Sequence, residues 1–237
     1  MRRSKTRTLY GKGMSVQLFD QTGFSVVPSV LEQAECDHLL SLVAEAGCTA
    51  AGTRNILRLP WCKELALALK VRGSLANLLS PNSVAVQCTL FEKSPEKNWL
   101  VTLHQDLSIP VLEKISTPDC SGWSEKEGVI YTQPPIAVLE QLVAVRVHLD
   151  KCGPENGPLR VVPESHRLGR LADSDIAKER NRLVEIECHV PKAGALVMRP
   201  LLLHASSKAR SPTFRRVLHF LFGPPMLPFG LRWNYAV

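Results

Sequence analysis

From residue 84 onward the chain breaks into short apolar or alternating runs separated by proline and glycine: VAVQCTLF (84–91), 98–103, VAVRVHL (143–149), 159–162, 184–190, 195–198 and VLHFLF (217–222). Runs this short, rich in β-branched residues and bounded by turn formers, read as strands. Seven of them with connections of uneven length predict an antiparallel sandwich or jelly roll, a mostly β fold with flanking helices. The helices come first. Leu31, Cys36, Leu39, Leu40, Val43 and Ala46 form a stripe at helical spacing through 30–46, with Gly47 as its stop. A second helical run over 62–79 carries Leu65, Leu67, Leu69, Val71, Leu75, Leu78 and Leu79 before Pro81. Between the strands, 107–142 holds Pro118, Pro134, Pro135, Gly122 and Gly128 and is expected to be a long loop. Loops of that length are usually functional, and the expected role is a lid.

A chain of 237 residues suits a single large domain, placed here at 14–237 with its helices at about 30–80. Residues 1–13 hold Arg2, Arg3, Lys5, Arg7 and Lys12 without an acid and are expected to be a disordered basic leader. A nucleic-acid arm or an organellar address is the alternative for that stretch, but the remaining excess of the net charge of +7 is scattered without aromatic interleaving, so nucleic acid is not the expected partner. No apolar stretch reaches the eighteen residues that a membrane span needs. Seven cysteines, odd in number and without a Cys-x-x-Cys pair, argue for reduced thiols in the cytoplasm. Oligomeric state is not legible.

The chemistry begins at TLHQDLSIP (102–110). On an extended strand Thr102, His104 and Asp106 share a face, so one imidazole and one carboxylate could meet a metal together. Two histidines and one carboxylate leave positions open for oxygen and a co-substrate, the arrangement of non-haem iron(II). An isolated His-x-Asp is common by chance, and His148-Leu149-Asp150 has the same spacing. Spacing alone does not rank the two pairs; Asp150 could equally begin the turn DKCGPENGP. A second imidazole is available at His204, which ends an apolar run. Eleven positions later stands Arg215, whose planar fork suits a carboxylate at the far end of a chelating 2-oxo acid.

TLHQDLSIP, VRVHLDKCGPENGPLRVVPESH and LLLHASSKARSPTFRRVLHF together resemble the phytanoyl-CoA dioxygenase family of iron(II)- and 2-oxoglutarate-dependent oxygenases, over roughly 84–222, and GTRNIL (52–57) also suits that family. The resemblance implies a double-stranded β-helix (a cupin-like jelly roll) with iron inside. By position it implies His104, Asp106 and His204 as metal ligands and catalytic centre, and Arg215 as the partner of the distal carboxylate of 2-oxoglutarate, helped by Ser206. Arg146 falls where the family places a co-substrate contact, and Gln87 is assigned with it. Gln87 and Thr89 share a strand face; Thr89, Arg54 and Asn55 are candidates for contact with substrate. The reaction implied is hydroxylation of a C–H bond in a small or lipid-like molecule, with O2 consumed and succinate and CO2 released. Retention of Asp106 speaks against halogenation. The alternative is a catalytically silent relative that binds a ligand or partner through the same barrel. One departure is Glu164 where the family frequently has glycine before Ser165-His166, which predicts a locally different turn. His166 is read as structural.

Overall fold

The computed structural model describes residues 16–47, 52–179 and 183–237. The basic leader expected at 1–13 lies outside them.

In chain order the strands are β1 (Phe24–Val27), β2 (Gly52–Thr53), β3 (Val84–Lys93), β4 (Val101–His104), β5 (Ile109–Val111), β6 (Ser121–Lys126), β7 (Val129–Gln133), β8 (Val143–His148), β9 (Leu159–Val161), β10 (Ile186–Cys188), β11 (Ala195–Met198), β12 (His204–Ser206) and β13 (Arg215–Gly223). Each of the seven predicted runs overlaps one of these strands. A major sheet has the order β1-β11-β8-β13-β3-β2, and a minor sheet the order β10-β9-β12-β4. Their pairings are antiparallel, and the fold is a cupin-like jelly roll.

Alternation on the major sheet sorts its side chains between two environments. Leu90, Val145, Val147, Leu218 and Phe220 are fully buried on the outer face, in one core with Cys36, Leu39 and Val43 of helix α2 (Gln33–Glu45) and Leu65 and Leu69 of helix α3 (Pro60–Leu69); helix α1 (Val16–Thr22) adds Phe19. Each such side chain contributes roughly 1.5–3 kcal/mol through burial. With the outer face spent on helices, the inner face is left to line the barrel.

Two expectations meet corrections. The helical run predicted over 62–79 is interrupted: α3 stops at Leu69 and a 3-10 turn covers Gly73–Leu78. Gly73 lies at φ +43 there, off the helical path. The long loop predicted over 107–142 is also structured. It contains a third sheet, β5-β7-β6, and a helical turn at Ile136–Leu139.

Candidate active site

His104 is the last residue of β4 and His204 the first of β12, and the antiparallel register sets them opposite one another. Asp106 enters from the segment after β4, which is anchored when its backbone N–H donates to the Pro200 carbonyl at 2.9 Å. The intervening Gln105 is buried and acts as a staple. Its amide donates to the Gly169 and Leu201 carbonyls at 2.8 and 2.7 Å and accepts from the Leu171 N–H at 2.8 Å. His104 and His204 therefore meet with ring centroids 4.2 Å apart, and the nearest ligand atoms of His104, Asp106 and His204 lie within 4.8 Å of one another.

The tautomers follow from the partners. His104 Nδ1 lies 2.8 Å from the Thr102 carbonyl and His204 Nδ1 2.9 Å from the Leu202 carbonyl. A carbonyl only accepts, so each Nδ1 carries a proton and each Nε2 a lone pair. Both Nε2 atoms are 3.6 Å from Asp106, one facing each carboxylate oxygen. Two imidazole lone pairs converging on a carboxylate ask for a cation, and this donor set is one that suits iron(II). Burial alone would raise the Asp106 carboxyl, but His204, His104 and His219 around it override this and hold it well below the usual carboxylate range. Burial pushes His204 down to about 4, so it stays neutral and able to ligate. At His104 burial also acts downward, but Asp106 outweighs it and raises the imidazole.

The three residues border a cavity of about 390 Å³, within the range of small-molecule sites. Deep in it, Arg215 is buried with its Nε unpartnered; its Nη1 donates to the Gly157 carbonyl and, at 3.3 Å, to Ser206 Oγ. Ser206 Oγ in turn donates to the Gly157 carbonyl at 3.0 Å. Gly157 must be glycine here. Its φ is +60 and a Cβ would run into the Ser207 carbonyl, so no other residue lets the turn approach β12 so closely. A buried guanidinium with an open side is built to receive a carboxylate, which it binds as a fork.

Lys93, cross-strand from Arg215, is also fully buried, with Nζ donating to Ser206 Oγ at 3.0 Å and to the Ser207 carbonyl at 2.5 Å. Burial, with Arg215 next in effect, pushes this amine down to about 7.

Of the other residues singled out in the sequence, Arg146, Gln87, Thr89, Ser206 and Arg54 border the same cavity. Gln87 and Thr89 turn inward, not to solvent, because the alternating Cys88 and Leu90 take the outer face against the helices. Arg54 stands on the lining and pairs with Glu127 at 3.0 Å. Asn55 is absent from the lining; its amide donates to the Glu127 carbonyl at 3.3 Å. The rival pair parts company: Asp150 takes Arg216 Nε and Nη2, each at 2.8 Å, and the buried His148 lies off the cavity lining.

Sequence reading passed over His219 and Lys93. Both lie at two-residue intervals from residues already singled out, Arg215-Val217-His219 on β13 and Gln87-Thr89-Phe91-Lys93 on β3. That period alone could have found them.

The sequence profile described as phytanoyl-CoA dioxygenase (PhyH) matches residues 19–217. No curated protein sequence matches the chain significantly. Among solved structures, HygX from Streptomyces hygroscopicus with nickel, 2-oxoglutarate and hygromycin B bound superposes with a TM-score of 0.61 at 18% identity, covering 90% of this chain and 87% of that one. EctD from S. alaskensis in its apo form gives 0.64 at 18% identity over 88% and 75% of the two chains. The 2-oxoglutarate-dependent epimerase SnoN from nogalamycin biosynthesis gives 0.66 at 13% identity over 88% and 79%.

Proposed function

The chain belongs to the phytanoyl-CoA dioxygenase family of iron(II)- and 2-oxoglutarate-dependent oxygenases, and from that membership we propose that His104, Asp106 and His204 hold the iron and that the reaction hydroxylates a C–H bond of a small molecule. The observation that carries this reading is the convergence of two imidazole lone pairs on one carboxylate. Iron(II) with 2-oxoglutarate supplies the oxidising power, drawn from O2, with succinate and CO2 released.

The chain's own residues position and insulate. Asp106 and the two histidines would hold the metal with three donors, a set that leaves room for oxygen and a co-substrate. Arg215 receives the distal carboxylate of 2-oxoglutarate, and Ser206, already tied to Arg215 and Gly157, keeps the guanidinium aimed. Gln87, fixed by its 2.8 Å bond to Thr89, faces the co-substrate from the adjoining wall. Phe91, Leu159 and Leu221 give the cavity apolar surface that keeps water from the reacting atoms. Arg54 and Thr89 remain on the substrate side, with Asn55 acting behind Arg54 through Glu127. We read residues 14–237 as one catalytic domain. HygX, seen with hygromycin B, supports a small-molecule substrate here. The six described cysteines are free and buried, in keeping with a reducing cytoplasm.

The test is an anaerobic titration of the apo-protein with iron(II) and 2-oxoglutarate, following the visible charge-transfer band of the chelate. A band in the wild type, its loss in Asp106→Ala and a tenfold or greater weakening of 2-oxoglutarate binding in Arg215→Ala are the expected results. No band and no bound metal in the wild type would move the chain to the alternative of a silent ligand-binding relative.

A further inference from the structure

We propose that the substrate is a small organic anion whose carboxylate or phosphate group is received by Arg146, His219 and Thr89, a polar row on the inner face of the major sheet across from the metal ligands. The inference rests on the iron and 2-oxoglutarate reading just given and adds to it what the oxidised molecule must be.

The register places the row. His219 on β13 is paired with Thr89 on β3 and with Arg146 on β8, so the three residues sit side by side on adjacent strands. Neighbouring strands are about 4.8 Å apart, and all three residues border the cavity. Arg215 lies four residues from His219 on the same strand, about 13 Å away at the usual rise per residue. The two arginines are thus rooted at different levels of the cavity wall.

Hydrogen-bond accounting then gives the row its chemistry. Arg146 Nη1 is 2.7 Å from His219 Nδ1. A guanidinium can only donate, so His219 Nδ1 must accept and its proton sits on Nε2. That fixes His219 as a neutral ring with an N–H that meets no protein acceptor among the described residues. It cannot serve as a fourth metal ligand through the same nitrogen. The edge of the ring is held against Phe91, with centroids 5.7 Å apart and planes at 87°. Thr89 Oγ1 accepts from Gln87 Nε2 at 2.8 Å, which leaves its hydroxyl hydrogen to be given elsewhere. Arg146 keeps a buried Nε without a partner. The row thus presents N–H and O–H groups where a ligand must supply the oxygens.

Charge points the same way. The cavity is bordered by Arg54, Lys126, Arg146 and Arg215 against a single carboxylate, Asp106. Iron(II), Asp106, a dianionic co-substrate and Arg215 cancel among themselves. Arg54 is matched by Glu127. Arg146 is 6% exposed and has no ion pair among the described residues, and Lys126 near the mouth lies over the Tyr131 ring at 5.3 Å without one. A buried cation without a counter-charge is costly unless the ligand brings one. His219 adds a third donor without adding charge, so one oxyanion group is enough to balance the site. The family resemblance alone would give Arg146 to the co-substrate. Arg215 already fills that need, and the remaining charge requires a second anion. Phe91, Leu159 and Leu221 beside the row suit a hydrocarbon body behind the anionic head.

The test uses the full chain, loaded anaerobically with iron(II) and 2-oxoglutarate, titrated calorimetrically with hexanoate, hexyl phosphate and hexanol. At least one of the two anions should bind tenfold or more tightly than the alcohol, and which one does separates a carboxylate substrate from a phosphate ester. Arg146→Gln should remove that preference while the 2-oxoglutarate titration keeps its midpoint within about threefold. Thr89→Val, which leaves the charge in place, should weaken anion binding by a smaller factor and guards against misfolding of the arginine variant. No preference for either anion, or a preference that survives Arg146→Gln, would overturn the proposal. Loss of 2-oxoglutarate binding in Arg146→Gln would return that arginine to the co-substrate and overturn it while the oxygenase reading stands. A wild-type protein that shows no chelate band at all would sink both.

Discussion

Glu164 occupies the left-handed region at φ 68 and ψ −8, with its backbone N–H held by the Thr22 carbonyl at 2.9 Å. The turn thus keeps the backbone geometry that glycine would adopt without strain and imposes it on a residue with a Cβ, at a cost of about 1–2 kcal/mol. The exposed side chain recovers none of this through a described hydrogen bond. Glu164→Gly should therefore stabilise the fold by about 0.5–1 kcal/mol after the added chain entropy of glycine is subtracted. Scanning calorimetry should show a Tm higher by about 1–3 °C. Lys93 illustrates a different constraint. Its amine, pushed down to about 7 by burial and by Arg215, is partly charged at neutral pH. A bound dianion favours the charged form, so binding takes up a proton, and affinity falls as pH rises through 7. The 2-oxoglutarate dissociation constant should rise several-fold between pH 6.5 and 8.5 in the wild type and stay flat in Lys93→Met. A slope that persists in the variant would exonerate Lys93. Neither residue was assigned this behaviour from sequence. The positive φ at 164 and the zero exposure at 93 both depend on partners far away in the chain.

At the scale of elements, the strands of the jelly roll were legible because each buries one face or both, which writes a short apolar run into the sequence. The helices were legible for the same reason. The third sheet was not. Every residue of β6 but one is exposed, so it carries no alternation, and Pro118 and the pair Pro134-Pro135 read as loop punctuation. This sheet is held by its own pairing within 109–133, by burial of Ile109, Val111 and Tyr131, by backbone bonds between 110–112 and 232–234, and by a latch at its tip. There Glu127, at φ 52 beside Gly128 at φ 73, accepts from the Arg54 backbone and guanidinium, each at 3.0 Å, while its carbonyl takes the Asn55 amide. Lys126 and Tyr131, on either side of that tip, border the cavity, so the sheet forms one of its walls. The latch is about a third exposed and worth less than 1 kcal/mol to global stability. Its effect should instead be local. In Glu127→Ala the Tm should move by less than about 2 °C, while limited proteolysis cuts within 112–133 several-fold faster than in the wild type. Equal cutting rates would mean that strand pairing and the buried side of β5 and β7 secure the wall without the latch.

On the scale of the whole molecule, enclosing a polar interior between two sheets makes stability depend on keeping imidazoles neutral. His148, His204 and His219 are each 8% exposed or less, and burial holds all three below the ordinary histidine value, His204 at about 4 and His219 at about 3. Below pH 6.5 the unfolded chain takes up protons at these positions and the fold does not, so stability falls as pH falls from there towards 4. His104 acts in the opposite sense, since Asp106 raises it, but the stability it adds is fully present below pH 6.5 and is lost only as pH rises above that value, outside this window. Asp106 itself, held low, adds stability that disappears only below the ordinary carboxylate range, outside this window. About three protons are therefore taken up by the unfolded chain alone, each worth about 1.4 kcal/mol per pH unit, so between pH 6 and 5 the metal-free protein should lose about 3–4 kcal/mol. Calorimetry in EDTA should show a Tm lower by about 6–16 °C at pH 5 than at pH 6. Iron(II) or zinc should raise the Tm at pH 6 and progressively less towards pH 5, because protons compete with the metal for Nε2 of His104. A Tm unchanged across that interval would mean that water reaches these histidines and that the interior is wetter than their burial implies. The outcome bears on function directly, since a cavity that keeps His204 and His219 dry and neutral is one that keeps His204 able to ligate and His219 able to donate from Nε2.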